Sequence, residues 1–223
     1  FNFSEKYRVP VMFMMDECVG HMTEKVVIPK ADQIDLFPRR HASKPPGEFN
    51  LFEPGPDLVP EMAHAGEGYK VYVTGLTHDK RGYPVLNPNV QRELVTRLFE
   101  KIRLAADDLT MVEAEGLEDA DVVVVSYGIT SRVAQRAIQM ARDKGLKVGK
   151  LRLICVWPFP EKLIRELATK VKALVMPELN MGQVVIELER CAGGQCKVIS
   201  VPHPGGTVHK QSEILEAIER GAR

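Results

Sequence analysis

A run of four valines, Val122–Val125, is the feature that most constrains what this chain can fold into. Every position in it is apolar and β-branched, which is typical of a strand that is buried on both faces. Such a strand lies inside a sheet with helices on its two sides. Tyr127 and Gly128 end the run, and an apolar periodicity that begins near Thr130 predicts a helix. The predicted unit is therefore strand, glycine turn, helix.

The same unit recurs along the rest of the chain. Further strands are predicted at 151–156, 172–176 and 197–201, and helices at about 130–144, 160–167, 182–190 and 212–220. Strands that alternate with helices of this length favour right-handed crossovers and a parallel sheet. The predicted fold class is α/β, with a parallel sheet flanked by helices.

The first residues of the sequence predict part of a different domain. Residues 9–15 form a short apolar run that is typical of a fully buried strand. A buried strand needs a neighbour on each side, and the residues before it are too few to supply them. We therefore expect that the sequence begins inside a domain whose earlier part is absent.

Prolines define the region that follows. Seven of the fifteen prolines fall between residues 29 and 60. That density excludes a continuous helix or a central strand and predicts a long surface linker between two domains. A strand is predicted at 69–73 and a helix from Asn89. The predicted organisation is the end of one domain at 1–29, a Pro-rich linker at 30–68 and an α/β domain at 69–223.

Charge and hydropathy exclude several classes of partner. Thirty Lys and Arg balance thirty Asp and Glu, so the chain has no net field to attract nucleic acid or an acidic membrane. No apolar run approaches the roughly 20 residues that span a bilayer, and the first residues do not form a signal peptide. The sequence predicts a cytoplasmic protein without nucleic-acid or membrane partners.

Cysteine usage indicates neither a disulfide framework nor a metal site. The four cysteines are few and scattered for a chain of 223 residues. Cys191 and Cys196 are separated by four residues, whereas paired zinc ligands are usually separated by two. We expect reduced thiols and no metal ligands, and the role of the Cys191 and Cys196 pair stays open.

One candidate binding site lies at the end of the valine strand. Gly128, Thr130 and Ser131 follow the strand and begin a helix, which is where parallel sheets bind anionic groups. The sequence lacks both the G-x-G-x-x-G fingerprint and the Walker A lysine. These residues therefore form either a small-anion site or an ordinary tight turn.

A second candidate is the pair His78 and Asp79. A histidine beside an aspartate can act as an acid and base pair, but adjacent residues seldom face each other and an exposed loop explains them better. The sequence has no G-x-S-x-G, no H-E-x-x-H and no four-cysteine run. The residues alone leave the catalytic groups and the reaction unknown.

Longer strings carry a resemblance to a known family. The chain resembles the alpha subunit of 2-oxoacid:ferredoxin oxidoreductases, most of all the 2-oxoglutarate type, in Tyr7-Arg-Val-Pro-Val11, Asp16-Glu17-x-x-Gly20-His21-Met22-x-Glu24 and Thr74-Gly75-x-x-His78-Asp79-x-x-Gly82. Residues 121–206 are similar to the transketolase carboxy-terminal-like domain of that family. Their landmarks are Ser126-Tyr-Gly128, Trp157-Pro-Phe-Pro160 and Glu178-x-Asn180-x-Gly182-Gln183.

The resemblance implies a function for the whole enzyme and a distribution of its cofactors among subunits. Residues 1–29 would be the end of a pyrimidine-binding domain, and the whole enzyme would decarboxylate a 2-oxoacid on thiamine diphosphate, reduce ferredoxin through iron–sulfur clusters and form an acyl-CoA. The catalytic residues are expected before residue 1. Thiamine diphosphate, Mg and the clusters are expected on a beta subunit and on possible gamma and delta subunits, and no cofactor is expected in this chain.

The resemblance assigns this chain the role of a scaffold and interface module that is inactive alone. Two other classes stay open. One is a free-standing α/β module that binds a small anion at the Gly128 turn. The other is a component of a different transketolase-like thiamine enzyme, against which the string Gly20-His21-Met22 argues. The 2-oxoacid and the oligomeric state are not fixed by the sequence.

Overall fold

The computed structural model describes residues 1–223, which divide into two compact units. The first unit comprises residues 1–13 and 24–106, and the second comprises residues 14–23 and 107–223. The predicted boundary at residue 69 differs from this division, because residues 69–106 group with the residues before them. The main-chain hydrogen bond from Phe52 N to Lys80 O, 2.9 Å long, is one of the contacts that join these segments.

The second unit is a five-stranded sheet between two layers of helices. Its strands are β1 Val112–Glu115, β2 Val122–Ser126, β3 Val148–Leu153, β4 Ala173–Glu178 and β5 Lys197–Pro202. Its helices are α2 Glu17–His21, α5 Thr130–Asp143, α6 Glu161–Ala168, α7 Val185–Ala192 and α8 Gln211–Ala222, and the short α4 Ala106–Leu109 spans the boundary between the units. The predicted α/β class and the predicted order of strands and helices are confirmed.

The strand order is β1-β3-β2-β4-β5, and one strand departs from the prediction. Strands β2, β3, β4 and β5 pair in parallel, whereas β1 pairs antiparallel with β3 at the edge of the sheet. The predicted wholly parallel sheet is therefore corrected to a mixed one. The sequence did not indicate β1 because its four residues, Val-Glu-Ala-Glu, are half-exposed or exposed and lack an apolar run.

The valine run divides its side chains between the two faces of the sheet. Val123 and Val125 belong to a core cluster with residues of α6 and α7, while Val122 and Val124 belong to a second cluster with residues of α5 and α8. All four are fully buried, as the sequence predicted. Each buried valine contributes about 1.5–3 kcal/mol of hydrophobic stabilisation.

The first unit has little regular structure. It contains α1 Asn2–Tyr7, a 3-10 turn at Ala31–Gln33 and α3 Pro88–Arg103, while residues 34–87 contain neither helix nor strand. The predicted strands at 9–15 and 69–73 are wrong, since these segments pair with no strand of this chain. The side chains of Met12 and Phe13 are 79% and 87% exposed. None of the helices has both the length and the apolar character needed to cross a bilayer.

Candidate functional site

The sheet reverses its order between β2 and β4. The chain passes from β2 to β3 on one side and then places β4 on the other side of β2. In sheets of this kind the crevice beyond the carboxyl ends of two such strands is where ligands bind. We call this place the switch point, and it is formed by Tyr127 and Gly128 after β2 and by Glu178 and Asn180 at and after the end of β4.

A buried carboxylate occupies one half of the switch point. Glu178 is 1% exposed and accepts four hydrogen bonds. They come from Tyr127 Oη at 2.8 Å, Asn180 Nδ2 at 3.1 Å, Val184 N at 3.0 Å and Val185 N at 2.9 Å. The last two amides belong to the start of α7, so Glu178 fills the position of an anion at that helix end.

The tyrosine of this network is held protonated. Burial raises the pKa of Tyr127, and the hydrogen bond to Glu178 raises it further. The phenol therefore donates to the carboxylate throughout the physiological range, while Asn180 Nδ2 donates to the phenol oxygen at 3.1 Å. Asn180 also accepts from Gly182 N at 2.7 Å, which shapes the turn before α7. The residues of the string Glu178-x-Asn180-x-Gly182 therefore take part in a hydrogen-bond network that holds the turn before α7.

A second carboxylate of the chain occupies the other half of the switch point. Asp16 Oδ2 accepts a hydrogen bond from Ile129 N at 2.8 Å, just before α5 begins. Gly128 has a φ of +57°, and a Cβ at this position would collide with the same carboxylate oxygen. The turn that the sequence singled out as an anion site therefore holds an anion of its own chain.

The other two candidates at this turn are buried. Thr130 and Ser131 are each 4% exposed, and Ser131 Oγ has no hydrogen-bond partner. Gly128, Thr130 and Ser131 lie together at the start of α5, as the sequence predicted from their spacing. The sequence did not connect Asp16 with them, because Asp16 and Gly128 lie at a sequence separation of 112.

His78 and Asp79 belong to the first unit and have separate partners. Asp79 accepts from Arg81 at 2.7 Å and 3.0 Å and from the main-chain N of Arg81 at 2.9 Å and of Tyr83 at 3.2 Å. The hydrogen bond from Arg81 lowers the pKa of Asp79. His78 Nδ1 lies 2.8 Å from Leu76 O. Asp79 is therefore hydrogen-bonded within its own loop, whereas the imidazole of His78 contacts the main-chain oxygen of Leu76.

Both residues line an open cleft in the first unit. Residues of the linker, of the loop at 78–80 and of α3 form its walls: Phe52, Pro54, His78, Asp79, Lys80, Val90, Glu93, Leu94 and Arg97. The sequence indicated His78 and Asp79 but gave no reason to place them against α3. The cleft therefore depends on the packing of the linker.

Three cations missed by the sequence reading lie close to one another in the first unit. Arg8 donates to Leu51 O at 2.7 Å and to Glu61 O at 2.9 Å. Lys101 is 4% exposed, and its Nζ donates to Arg8 O at 3.1 Å. Arg97 is one helical turn from Lys101 on α3, and this spacing was the only signal of the cluster in the sequence.

Lys101 predicts a pH dependence of stability. Burial, with a smaller contribution from the charges of Arg97 and Arg8, lowers the pKa of Lys101 to about 8. An unfolded lysine titrates near about 10.4, so the unfolded chain binds more protons between about pH 8 and 10.4. The contribution of Lys101 to the free energy of unfolding therefore rises with pH across this window. In Lys101→Met this rise should be absent, as measured by urea unfolding at several pH values.

Lys170→Met supplies the control, because Lys170 is an exposed residue after α6. Its stability profile should follow that of the unmodified protein at each pH. Parallel profiles for Lys101→Met and the unmodified protein would contradict the assignment of the low pKa to Lys101.

The cysteines do not gather into a cluster. Cys191 is buried and Cys18, Cys155 and Cys196 are half-buried, all four as free thiols. Burial raises the pKa of the Cys155, Cys191 and Cys196 thiols. No three His, Cys, Asp or Glu side chains meet in a geometry that could hold a metal ion.

The switch point also bears on whether this chain fits a diphosphate cofactor. The amides at the starts of α5 and α7 would be the natural phosphate donors of the second unit. Asp16 and Glu178 already accept hydrogen bonds from amides at these two places. The residues of the switch point therefore do not fit a diphosphate group.

Two family models match this chain. Pyruvate:ferredoxin oxidoreductase core domain II matches residues 120–214, and the thiamine diphosphate-binding domain of pyruvate flavodoxin/ferredoxin oxidoreductase matches residues 1–97. Together with the sheet and its switch point, these matches define the class of protein. The chain belongs to the 2-oxoacid:ferredoxin oxidoreductase family, where it corresponds to part of an alpha-type subunit.

Among its relatives are subunits KorA of 2-oxoglutarate synthase. The chain is 45% identical to those of Methanothermobacter marburgensis and Methanocaldococcus jannaschii, over 219 and 220 residues respectively. Each alignment covers 98% of this chain and 58% of the relative. Subunit VorB of the ketoisovalerate oxidoreductase of Methanothermobacter marburgensis is 31% identical over 219 residues. The chain therefore spans somewhat more than half the length of these relatives.

A solved structure shares the fold. The 2-oxoglutarate:ferredoxin oxidoreductase of Magnetococcus marinus, solved with 2-oxoglutarate, coenzyme A and succinyl-CoA bound, superposes with a TM-score of 0.73. The match covers 87% of this chain and 34% of that chain, at 24% sequence identity. At this identity the likeness shows the fold alone.

Proposed function

We propose that this chain is part of the alpha subunit of a thiamine diphosphate-dependent 2-oxoacid:ferredoxin oxidoreductase that acts on 2-oxoglutarate. The assembled enzyme oxidatively decarboxylates 2-oxoglutarate, forms the acyl-CoA and reduces ferredoxin. The observation that carries the proposal is the 45% identity to 2-oxoglutarate synthase subunits over nearly the whole chain.

The choice of 2-oxoglutarate as the substrate rests on the difference in sequence identity between two groups of relatives. Identity to the ketoisovalerate oxidoreductase subunits is 31% and 30% over a similar length. The larger identity to the 2-oxoglutarate synthase subunits supports a 2-oxoglutarate-type enzyme.

Within this enzyme the chain acts as a scaffold and interface module. The switch point of its α/β unit is filled by Asp16 and Glu178, so the usual ligand crevice of such a sheet is taken up by the chain itself. The first unit exposes long apolar side chains at 11–13 and 26–28. Exposed apolar surface of this kind commonly meets another protein surface. We propose a beta subunit as the main partner, with gamma and ferredoxin-like delta subunits and ferredoxin itself as further partners.

The cofactors belong to other parts of the enzyme. Thiamine diphosphate supplies the carbanion chemistry of decarboxylation when it is bound. Amides at the starts of both switch-point helices already donate to Asp16 and Glu178. We therefore propose that thiamine diphosphate, Mg and the iron–sulfur clusters are held by the remainder of the alpha subunit and by partner subunits. This chain contributes the rigid α/β unit on which the assembly is built.

The proposal predicts substrate-dependent electron transfer by the full-length protein and its companion subunits. With thiamine diphosphate, Mg and coenzyme A, 2-oxoglutarate should reduce ferredoxin, and 2-oxoisovalerate should do so at least about tenfold more slowly, which corresponds to about 1.4 kcal/mol of discrimination. Residues 1–223 alone should show no activity.

Two results would overturn parts of this proposal. A higher rate with 2-oxoisovalerate than with 2-oxoglutarate would overturn the substrate while leaving the reaction class in place. Activity of residues 1–223 alone with 2-oxoglutarate and an electron acceptor would overturn the scaffold role. Co-purification of a thiamine-binding subunit with the full-length protein, followed by sizing of the complex, tests the partner independently.

A further inference from the structure

The cleft beside α3 carries positive charge that this chain neutralises only in part. Arg97 lines it, and the charge of Arg97 lowers the pKa of the neighbouring Arg8 and Lys101. We use the name basic cleft for this cleft together with Arg8, Arg97 and Lys101. The hydrogen bonds of all three cations go to main-chain carbonyls, those of Leu51, Glu61, Leu58 and Arg8.

The carboxylates at the same cleft offset only part of this charge. Asp79 is held by two hydrogen bonds from the Arg81 side chain. Glu93 lies 4.0 Å from Lys80, and its charge raises the pKa of Arg97, but its side chain is 69% exposed and burial has the larger, opposite effect on the pKa of Arg97. Partly buried guanidinium and ammonium groups without an anion carry a large desolvation cost. Burial lowers the pKa of Arg8 and of Arg97, which reports this cost.

His78 supplies a second, independent feature of the site. Its Nε2 is buried and has no partner, while Nδ1 lies 2.8 Å from Leu76 O. The ring packs on Phe52 with centroids 4.3 Å apart, and the Arg8 guanidinium lies 5.1 Å from the centroid of the same phenylalanine. Arg8, Phe52 and His78 therefore form one continuous wall. Buried polar atoms without partners are rare, and this one belongs to a residue that lines the cleft.

We propose that the basic cleft binds an oxyanion, the phosphate or carboxylate group of a small molecule, between Arg97 and His78. The guanidinium donates to two oxygens in the planar geometry that such groups accept. His78 donates to the same oxyanion through Nε2, while Nδ1 keeps its bond to Leu76 O. Arg8 and Lys101 do not touch the ligand, and they strengthen its binding through their charge. The apolar wall at Phe52 and Leu94 accommodates the remainder of the molecule.

The experiment uses the full-length protein in the assembly that it forms. Inorganic phosphate and acetate are titrated separately by calorimetry at constant ionic strength, with chloride as the background anion. Saturable binding of phosphate but not acetate assigns a phosphate site, and the reverse assigns a carboxylate site; either result supports an oxyanion site. Binding of neither anion above the chloride background overturns it.

Variants locate the binding at the basic cleft. Arg97→Gln is expected to weaken the affinity at least about tenfold, which is the cost of one charge-assisted pair. His78→Phe keeps the stacking on Phe52, removes both ring nitrogens and is expected to weaken the affinity about three- to tenfold. Arg165→Gln removes an arginine of α6 in the second unit that pairs with Glu161, and its affinity should equal that of the unmodified protein.

The outcomes separate this site from the proposed function. Affinity that is unchanged in both Arg97→Gln and His78→Phe would overturn the basic cleft as the binding site. If Arg97→Gln does not fold, His78→Phe and Lys101→Met carry the test, and Lys101→Met is expected to weaken binding about threefold through the loss of its charge. The binding measurement requires no catalysis, so its result stands whether or not the assembled enzyme uses 2-oxoglutarate.

Discussion

Glu178→Ala is expected to lower the free energy of unfolding of the second unit by about 3–4 kcal/mol. The substitution removes a buried carboxylate that accepts four hydrogen bonds, and it leaves the O–H donor of Tyr127 and the amide donors of Val184 and Val185 without an acceptor. Each buried polar group without a partner costs about 1–3 kcal/mol. Relief of the desolvation of the carboxylate offsets part of this sum.

The measurement is urea unfolding followed by the fluorescence of Trp157, the only tryptophan of the chain, which lies in the second unit. Glu166→Ala is the matched control, because Glu166 is exposed on α6, and it should change stability by less than about 0.5 kcal/mol. Tyr127→Phe removes one of the four bonds and should cost about 1 kcal/mol. A loss below about 1 kcal/mol in Glu178→Ala would contradict the role of this carboxylate at the switch point.

Gly128→Ala is expected to lower stability by about 2–3 kcal/mol. About 1 kcal/mol follows from the positive φ of +57°, which alanine adopts poorly, and the remainder follows from the collision of the new Cβ with the carboxylate of Asp16. Gly145→Ala isolates the first contribution, since Gly145 has a φ of +81° with nothing within 4 Å of its Cβ position. The control should therefore cost about 1 kcal/mol.

A double-mutant cycle with Asp16→Ala tests the collision directly. In the Asp16→Ala background the cost of Gly128→Ala should fall to about 1 kcal/mol, the backbone contribution alone. The coupling energy expected from this cycle is about 1–2 kcal/mol. Equal costs of Gly128→Ala in the two backgrounds would show that Asp16 does not occupy the turn.

These two predictions concern the same structural fact about the switch point. Both helices that begin there are capped by carboxylates of this chain, one from the adjacent strand β4 and one from residue 16. An internal carboxylate at a helix start satisfies free amides and offsets the positive end of the helix dipole. The α/β unit thereby gains stability at a place where related sheets bind ligands.

The sequence by itself determined the α/β unit. Fully apolar runs such as Val122–Val125 require burial on both faces, and regular spacing between strand and helix patterns restricts the topology to a sheet between helices. The edge strand β1 was missed because an exposed edge imposes no apolar pattern. The segment at 9–15 was misassigned because an apolar run predicts burial only when partner strands are present to pair with it.

Only the tertiary structure decided the two sites. Asp16 meets the Gly128 turn, and Arg8 meets Lys101 at a sequence separation of 93, because packing brings distant segments together. The local pattern of apolar residues predicts which side chains must be buried, since burial depends on the composition of one segment. It does not report which polar groups will face one another across a crevice or a cleft, because that depends on how separate segments pack. The anion-filled switch point and the basic cleft were therefore visible only in the folded chain.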